Sequence, residues 1–191
     1  AVKAFLTLEG KPLLRHVVEN ALKVSDRIVI VIGKNWDKKM FSKILPSGVS
    51  IVEDEVAGRG PMVGFISGLK KLEAEYVAVL PCDTPFINPQ VLGYLFEKAF
   101  GMDASIPIWS NGYKEALQAV YRSASTLQAA GEALENNEFS MLDMVKRLKK
   151  IMYIPVDDIK KIDPDLMTFF NVNTAKDFDE AVKYAEKSKI Q

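Results

Sequence analysis

The sequence has little cysteine and no excess charge of either sign. Cys82 is its one cysteine, so these 191 residues cannot form an internal disulfide bond. We therefore expect a reducing, cytoplasmic environment. Lys+Arg 25 balances Asp+Glu 25, which argues against nucleic acid or an anionic membrane as a partner. No apolar run approaches the ~20 residues that span a bilayer, and no signal peptide is visible.

The pattern of the chain is that of one α/β domain covering residues 1–191. Helix-like and strand-like segments alternate, which predicts a mainly parallel sheet with helices against it. "RIVIVIG", Arg27 to Gly33, is a continuous β-branched run of the kind found in strands covered on both faces. Asn111-Gly112 predicts a hairpin turn, so we expect a mixed sheet with an antiparallel part.

An acidic residue follows the predicted strand Tyr76 to Leu80, in the stretch "LPCDTP". In open α/β sheets ligands bind outside the carboxyl ends of strands, where Asp83 would hold Mg²⁺. An Asx-turn before Thr-Pro explains the same residue equally well. Cys82 is interpreted as a small packing residue, because no base lies near it in the sequence.

Glycines surround the start of a predicted helix in "EDEVAGRGPMVGFISG". Gly58, Gly60 and Gly64 would let the backbone approach a ligand, and a helix N-terminus favours anions. Asp54 ends a predicted strand and could accept hydrogen bonds from a ribose or a base. The alternatives are close helix–sheet packing for Gly64 and a solvated turn for Asp54.

Two asparagines stand two residues apart in "FFNVNTAKDF". If the segment is extended, the side chains of Asn171 and Asn173 face the same way and could hold a ligand or complete a metal site. The alternative is that Asn173 and Thr174 merely cap the last helix.

These stretches, together with "KAFLTLEGKPLLRHV", resemble the molybdenum cofactor guanylyltransferase family of nucleotidyltransferases. The likeness runs from Lys3 to Phe178. It implies a three-layer Rossmann-like fold with helices on both faces of the sheet. It also implies transfer of GMP from GTP to molybdopterin or molybdenum cofactor, with release of pyrophosphate.

The resemblance assigns nucleotide-binding roles by position. Lys3 matches a lysine that contacts nucleotide phosphates, and Asp54 an acid that takes part in nucleotide binding. Gly60 and Gly64 match glycines beside the base. Asp83 matches a magnesium-binding aspartate, so Lys3 and Asp83 are the expected catalytic residues and Mg²⁺ the expected cofactor.

The acceptor side is assigned in the same way. Asn171 and Asn173 match paired asparagines near the acceptor, and Asn35 aligns loosely with an asparagine that contacts the nucleotide. The family also implies transient contact with a molybdenum-insertion protein or a cofactor chaperone. Within the same superfamily, the alternatives are a molybdopterin cytidylyltransferase and a guanylyltransferase for another phosphorylated acceptor, such as a cobamide precursor.

One family feature is absent ahead of Lys3, namely the first strand and its glycine-rich phosphate-binding loop. We therefore expect that the sequence omits residues there, and that a sheet without its central first strand carries a slot in the core. If the loop is truly missing, a nucleotide-binding protein without turnover becomes the third alternative.

Overall fold

The structure is a computed structural model that describes residues 3–54 and 60–188. Gly58 lies outside the described residues. The strands are β1 (Thr7–Leu8), β2 (Lys11–Pro12), β3 (Val29–Ile32), β4 (Ser50–Glu53), β5 (Tyr76–Val79), β6 (Ala104–Ile108), β7 (Ala119–Arg122) and β8 (Ile151–Pro155). The α-helices are α1 (Leu13–Ala21), α2 (Lys38–Ser42), α3 (Pro61–Leu72), α4 (Pro89–Ala99), α5 (Ser123–Glu135), α6 (Met141–Val145), α7 (Val156–Ile159) and α8 (Ala175–Ser188).

Local sequence determines where several helices begin. Pro61 opens α3 at its first turn, where the missing N–H of proline costs no hydrogen bond. Asn88 caps α4 by accepting from the N–H of Gln90. Thr174 and Asp177 cap α8 reciprocally, since each side chain accepts from the other residue's N–H. Within the described residues, every helix is too short or too polar to span a bilayer.

The described strands form two main sheets beside the small β1–β2 hairpin. β3 and β4 pair in parallel. The second sheet has the order β5-β7-β6-β8, and β7 runs antiparallel to both β5 and β6. β5, β6 and β8 therefore share one direction. The chain passes from β4 through α3 to β5, and β7 alone runs against the other three strands of its sheet.

Helices cover both faces of these sheets, as the family resemblance implied. Val77 points toward α3, α5 and α6 and packs with Phe65 and Tyr121. The next residue, Ala78, points the other way, against α4 and its Val91. α1 and α2 cover β3 and β4 on that same side. This alternation confirms the predicted three-layer α/β fold.

A cleft of about 1090 Å³ separates β3 from β5. All four residues of each strand line it, as do α1, α3 and α4. Among the described residues no backbone hydrogen bond crosses from one strand to the other. The slot expected from the sequence is thus present between the two sheets.

Candidate active site

Three side chains from distant parts of the sequence meet just beyond the carboxyl end of β5. Lys3 Nζ lies 3.4 Å from Asp83 Oδ2 and donates a 2.5 Å hydrogen bond to Asn173 Oδ1. Asp83 is the more buried of the charged pair, with 17% of its side chain exposed against 42% for Lys3. We call Lys3, Asp83 and Asn173 the lysine–aspartate cluster.

The loop that carries Asp83 is fixed from several sides. The carbonyl of Asp83 accepts a 2.9 Å hydrogen bond from the N–H of Val172, which ties the loop to the segment that carries Asn173. Thr84 is fully buried, and its hydroxyl donates to the carbonyl of Pro81 at 3.1 Å. The Asp83 carboxylate is therefore held in place before any ligand arrives, which favours electrostatic stabilisation of a reacting group.

The cap of α8 holds the other side of the cluster. The Asp177 carboxylate accepts from the N–H groups of Asn173 and Thr174 at 2.9 and 2.7 Å. These bonds, that from Thr174 first, lower the pKa of Asp177 below its ordinary value. Because the bonds fix the backbone of Asn173, the cap also orients the amide that receives Lys3.

Asp54 and the predicted glycines form a second group, which we call the β4 rim. The N–H of Asp54 donates to the carbonyl of Ile32 at 2.7 Å, so Asp54 lies where β4 leaves the sheet. A Cβ placed on Gly64 would lie 3.6 Å from Asp54 Oδ2, an ordinary van der Waals distance, so the Asp54 carboxylate lies beside the first turn of α3. Asp54, Gly60 and Gly64 line the same cleft as Pro81 and Cys82.

Gly60 has a conformation that other residues avoid. Its φ is +93° and its ψ 169°, a region open essentially to glycine alone. A Cβ there would also lie 2.9 Å from the carbonyl oxygen of Phe139. Gly60 thus sets the backbone path into α3, and its predicted place beside a base stays a prediction.

Two predicted site residues stand apart from the lysine–aspartate cluster. The amide of Asn171 donates to the carbonyl of Phe169 at 3.2 Å. Val172, between the two asparagines, is buried. Asn173 contacts Lys3 whereas Asn171 bonds within its own segment, and their shared face stays a prediction. Asn35 is exposed in the turn after β3.

The interpretation of Cys82 as a packing residue is wrong. Its side chain is free and exposed, and it lines the cleft beyond the end of β5. The apolar surroundings, and then the neighbouring Asp83 charge, raise the pKa of the thiol. Cys82 is therefore accessible but mostly protonated at neutral pH, which is unlike an activated nucleophile.

Sequence reasoning missed the direct contact between Lys3 and Asp83. Each was selected separately, and 80 positions separate them. Residue spacing offers no signal for this contact, because Lys3 lies in a single turn of 3-10 helix, Lys3–Phe5, and not at the end of a described strand.

Oxygen ligands for a hard cation are limited in this region. Within residues 3–54 and 60–188, no group of three or more His, Cys, Asp or Glu side chains is arranged to hold a metal ion. Asp83 and the amide oxygen of Asn173 are the oxygen donors that converge on Lys3. One carboxylate suits Mg²⁺ when phosphate oxygens and water supply the other ligands.

Comparison with known proteins places the chain among nucleotidyltransferases. Residues 2–150 match the family model of the MobA-like NTP transferase domain. The probable molybdenum cofactor guanylyltransferase of Methanosarcina mazei is 32% identical over 97% of this chain and 84% of that protein. The protein of the same name from Bacillus cereus is 28% identical, over 95% of this chain and 88% of its own length.

Solved structures agree with these relatives. The crystal structure of molybdopterin-guanine dinucleotide biosynthesis protein A from Archaeoglobus fulgidus is 28% identical and superposes with a TM-score of 0.79, covering 97% of this chain and 91% of that one. The 2-C-methyl-D-erythritol 4-phosphate cytidylyltransferase of Thermus thermophilus is 17% identical, with a TM-score of 0.72 over 96% of this chain and 93% of that one. The second likeness supports the fold alone.

Proposed function

The chain belongs to the MobA-like NTP transferase domain family, and we propose that it transfers GMP from GTP to the terminal phosphate of molybdopterin or of its molybdenum-loaded form. The observation that carries the proposal is the lysine–aspartate cluster, which is fixed at the carboxyl end of β5 by the Asp83–Val172 backbone bond. The names of the relatives support the choice of nucleotide and acceptor.

In the proposed reaction, an oxygen of the acceptor phosphate attacks the α-phosphorus of GTP. A new P–O bond forms to the acceptor, and the bond between the α-phosphorus and the bridging oxygen breaks. That electron pair leaves with pyrophosphate. The attacking oxygen is already anionic, so the reaction requires no general base and depends on alignment and charge stabilisation.

Different residues would bind different parts of the two substrates. The Lys3 ammonium lies at the cluster and would donate to phosphate oxygens of the nucleotide and of the departing pyrophosphate. The β4 rim would hold the nucleoside, with Asp54 accepting hydrogen bonds from ribose or base. Asn173 and Asn171 would face the acceptor.

We propose Mg²⁺ as the metal and Asp83 as its protein ligand. The fit rests on a mostly buried carboxylate beside an amide oxygen, a hard donor set suited to magnesium together with nucleotide phosphates. When bound, such an ion neutralises phosphate charge in the transition state. Asp83 would orient the triphosphate through this contact.

The biological setting is proposed from the family in the same way. We expect a cytoplasmic enzyme, without nucleic acid as a partner. Molybdopterin-derived products would pass to a molybdenum-insertion protein or a cofactor chaperone through transient contact.

Nucleotide choice tests the proposal. The purified protein is incubated with Mg²⁺, molybdopterin and either GTP or CTP, and pyrophosphate release is followed by a coupled assay. We expect release with GTP to exceed that with CTP at least tenfold. A preference for CTP would assign a cytidylyltransferase, and release only with another phosphorylated acceptor would replace molybdopterin. Nucleotide binding without any release would contradict turnover.

A further inference from the structure

Thr168 is a buried residue whose three polar groups all bond to other parts of the chain. It lies in the 3-10 helix Met167–Phe169, with 3% of its surface exposed. Its N–H donates to Asp163 Oδ2 at 2.8 Å, its carbonyl accepts from Gln118 Nε2 at 2.7 Å, and its hydroxyl oxygen accepts from the N–H of Asn88 at 3.2 Å. Because a buried and satisfied network of this kind is rigid, these three bonds fix the position of Thr168.

The bond from Asn88 reaches the loop that carries Asp83. This loop, residues 80–88, joins β5 to α4, and we call it the Asp83 loop. Residues 168–173 carry both asparagines of the candidate site, and we call them the asparagine segment. Asn88 is the last residue of the loop and Thr168 the first of the segment, so their bond joins the two stretches at one end.

Two further contacts join the Asp83 loop to the asparagine segment. The centres of the Phe86 and Phe170 rings lie 6.2 Å apart, and the N–H of Val172 donates to the carbonyl of Asp83 at 2.9 Å. Together with the bond described above, these contacts pair rising residue numbers along the loop with falling numbers along the segment. The two stretches therefore run antiparallel and are joined near both ends and in the middle.

The segment that carries Lys3 packs against the same two stretches. The N–H of Leu6 donates to the carbonyl of Lys3 at 3.0 Å, and the Leu6 side chain shares one hydrophobic cluster with Phe86 and Phe170. Tyr184 of α8 also contacts Phe86, with 4.9 Å between the ring centres. A shift of the loop against the segment would therefore change the spacing of all three residues in the lysine–aspartate cluster.

We propose that Thr168 is a positioning residue, which holds the Asp83 loop and the asparagine segment in the register that assembles the lysine–aspartate cluster. Its bond to Asn88 fixes one end of the paired stretches, and its bond to Gln118 ties that end to the residue directly before β7. Thr168 bonds to protein groups outside the cluster, so it acts through the cluster and not on the substrates. The consequence for turnover rests on the proposed function, whereas the pairing rests on these contacts alone.

Amide hydrogen exchange of the purified protein tests the pairing without any substrate. Thr168→Val keeps the shape of the side chain but removes the oxygen that accepts from Asn88, so one end of the paired stretches is released. We expect exchange at Val172, near the other end, to accelerate at least tenfold. The amide of Arg122, which donates to the Asp103 carbonyl in the second sheet, reports global opening and should accelerate less than Val172.

Thr168→Ser is the matched control, because it retains the hydroxyl oxygen and loses only a buried methyl group. Exchange at Val172 should stay within threefold of wild type in this variant. Equal acceleration of Val172 in both variants would show loosened packing and overturn the proposal. Equal acceleration of Val172 and Arg122 in Thr168→Val would also overturn it, because the change would then be global.

Steady-state pyrophosphate release tests the consequence for turnover. A displacement of about 1 Å among reacting groups can lower the rate roughly 100-fold. We expect Thr168→Val to lower kcat at least tenfold, while KM for GTP stays within threefold of wild type because the β4 rim is unchanged. Thr168→Ser should retain at least half of the wild-type kcat. So should Thr126→Val, which alters a fully buried threonine of α5 whose hydroxyl has no hydrogen-bond partner among the described residues.

The two measurements separate this proposal from the proposed function. If the wild-type protein releases no pyrophosphate, the proposed reaction is rejected and the exchange rates alone decide the pairing. Wild-type kcat in Thr168→Val, or an equal loss in Thr168→Ser, would overturn the positioning role. If Thr168→Val does not fold, Gln118→Met removes the bond to the Thr168 carbonyl instead, and it should show the same fall in kcat with little change in KM for GTP.

Discussion

The β4 rim lines the cleft between β3 and β5, the lysine–aspartate cluster lies beyond Pro81 and Cys82 after β5, and the two sites are constructed differently. In the cluster, Lys3 Nζ lies within 3.4 Å of oxygen atoms of both Asp83 and Asn173, which come from distant segments. A backbone hydrogen bond from Val172 to Asp83 joins the loops that carry these two residues. At the rim, the Asp54 carboxylate lies beside Gly64, and Gly60 sets the backbone path into α3. Concentrated charge suits phosphate, whereas space beside one acceptor group suits the ribose and base. The comparison predicts that cluster changes impair turnover and rim changes alter nucleotide preference.

Replacing the Asp83 carboxylate should give the largest effect. Asp83→Asn keeps the size of the side chain but removes the negative charge, so we expect pyrophosphate release to fall by about 100-fold or more, as when a major electrostatic group is lost. Asp157→Asn, which changes an exposed aspartate paired with Lys160, is the matched control and should retain full activity. Near-full activity of Asp83→Asn would remove the cluster from the chemistry.

Lys3→Met tests the cationic half of the cluster. A hydrogen bond to a charged group contributes about 1.5–3 kcal/mol, which corresponds to a fall of roughly 10- to 100-fold in kcat/KM for GTP. Lys11→Met is the control, because Lys11 pairs with Glu19 and not with Asp83. If both lysine variants lose activity equally, the loss comes from removing a positive charge anywhere on the protein, and not from the contact of Lys3 with Asp83.

Gly60→Ala tests whether the rim depends on backbone conformation. The substitution forces a Cβ into a glycine-only region and against the Phe139 carbonyl, and we expect the free energy of unfolding to fall by about 1–3 kcal/mol. Gly131→Ala in α5 meets nothing within 4 Å and should stabilise the protein by about 0.5–1 kcal/mol. Chemical denaturation measures both, and loss of stability in both variants would reject the conformational explanation.

The smallest expected effect is at the α8 cap. Asp177→Asn weakens the bonds to Thr174 and Asn173, so Tm should fall modestly at neutral pH. The folded-state pKa of Asp177 is lowered. The stability that its ionised carboxylate adds to the folded protein is therefore fully present above the ordinary pKa of 3.8, and it is lost as the pH falls through the lowered pKa. The Tm difference between wild type and variant should therefore shrink below pH 3.8, and a difference that stays constant there would contradict this explanation.

Local features were predictable from the sequence because they depend on neighbouring residues. The β-branched run of β3, the proline opening α3 and the caps at Asn88 and Thr174 all follow from short-range chemistry. Asp83 was also a candidate from residue type, since a carboxylate at the end of a strand calls for a turn or a ligand to explain it, whereas Lys3 was selected only from the resemblance to the family.

Long-range features were beyond such reasoning. The contact of Lys3 with Asp83 depends on how the chain returns to one sheet edge, and the exposure of Cys82 depends on the cleft beside it. The partners of the Asn171 and Asn173 amides differ, because Lys3 reaches Asn173 from a distant part of the sequence whereas Asn171 bonds to nearby Phe169. Residue spacing alone contains none of this information.

The assignment of phosphate to the cluster and nucleoside to the β4 rim is tested most directly by the ratio of kcat/KM for GTP to that for CTP in Asp83→Asn and Asp54→Asn. Our account predicts that Asp83→Asn lowers both constants by a similar factor and leaves the ratio unchanged. Asp54→Asn should reduce the ratio while retaining most of the turnover rate. A changed ratio in Asp83→Asn together with an unchanged ratio in Asp54→Asn would contradict the assignment of phosphate to the cluster and nucleoside to the rim.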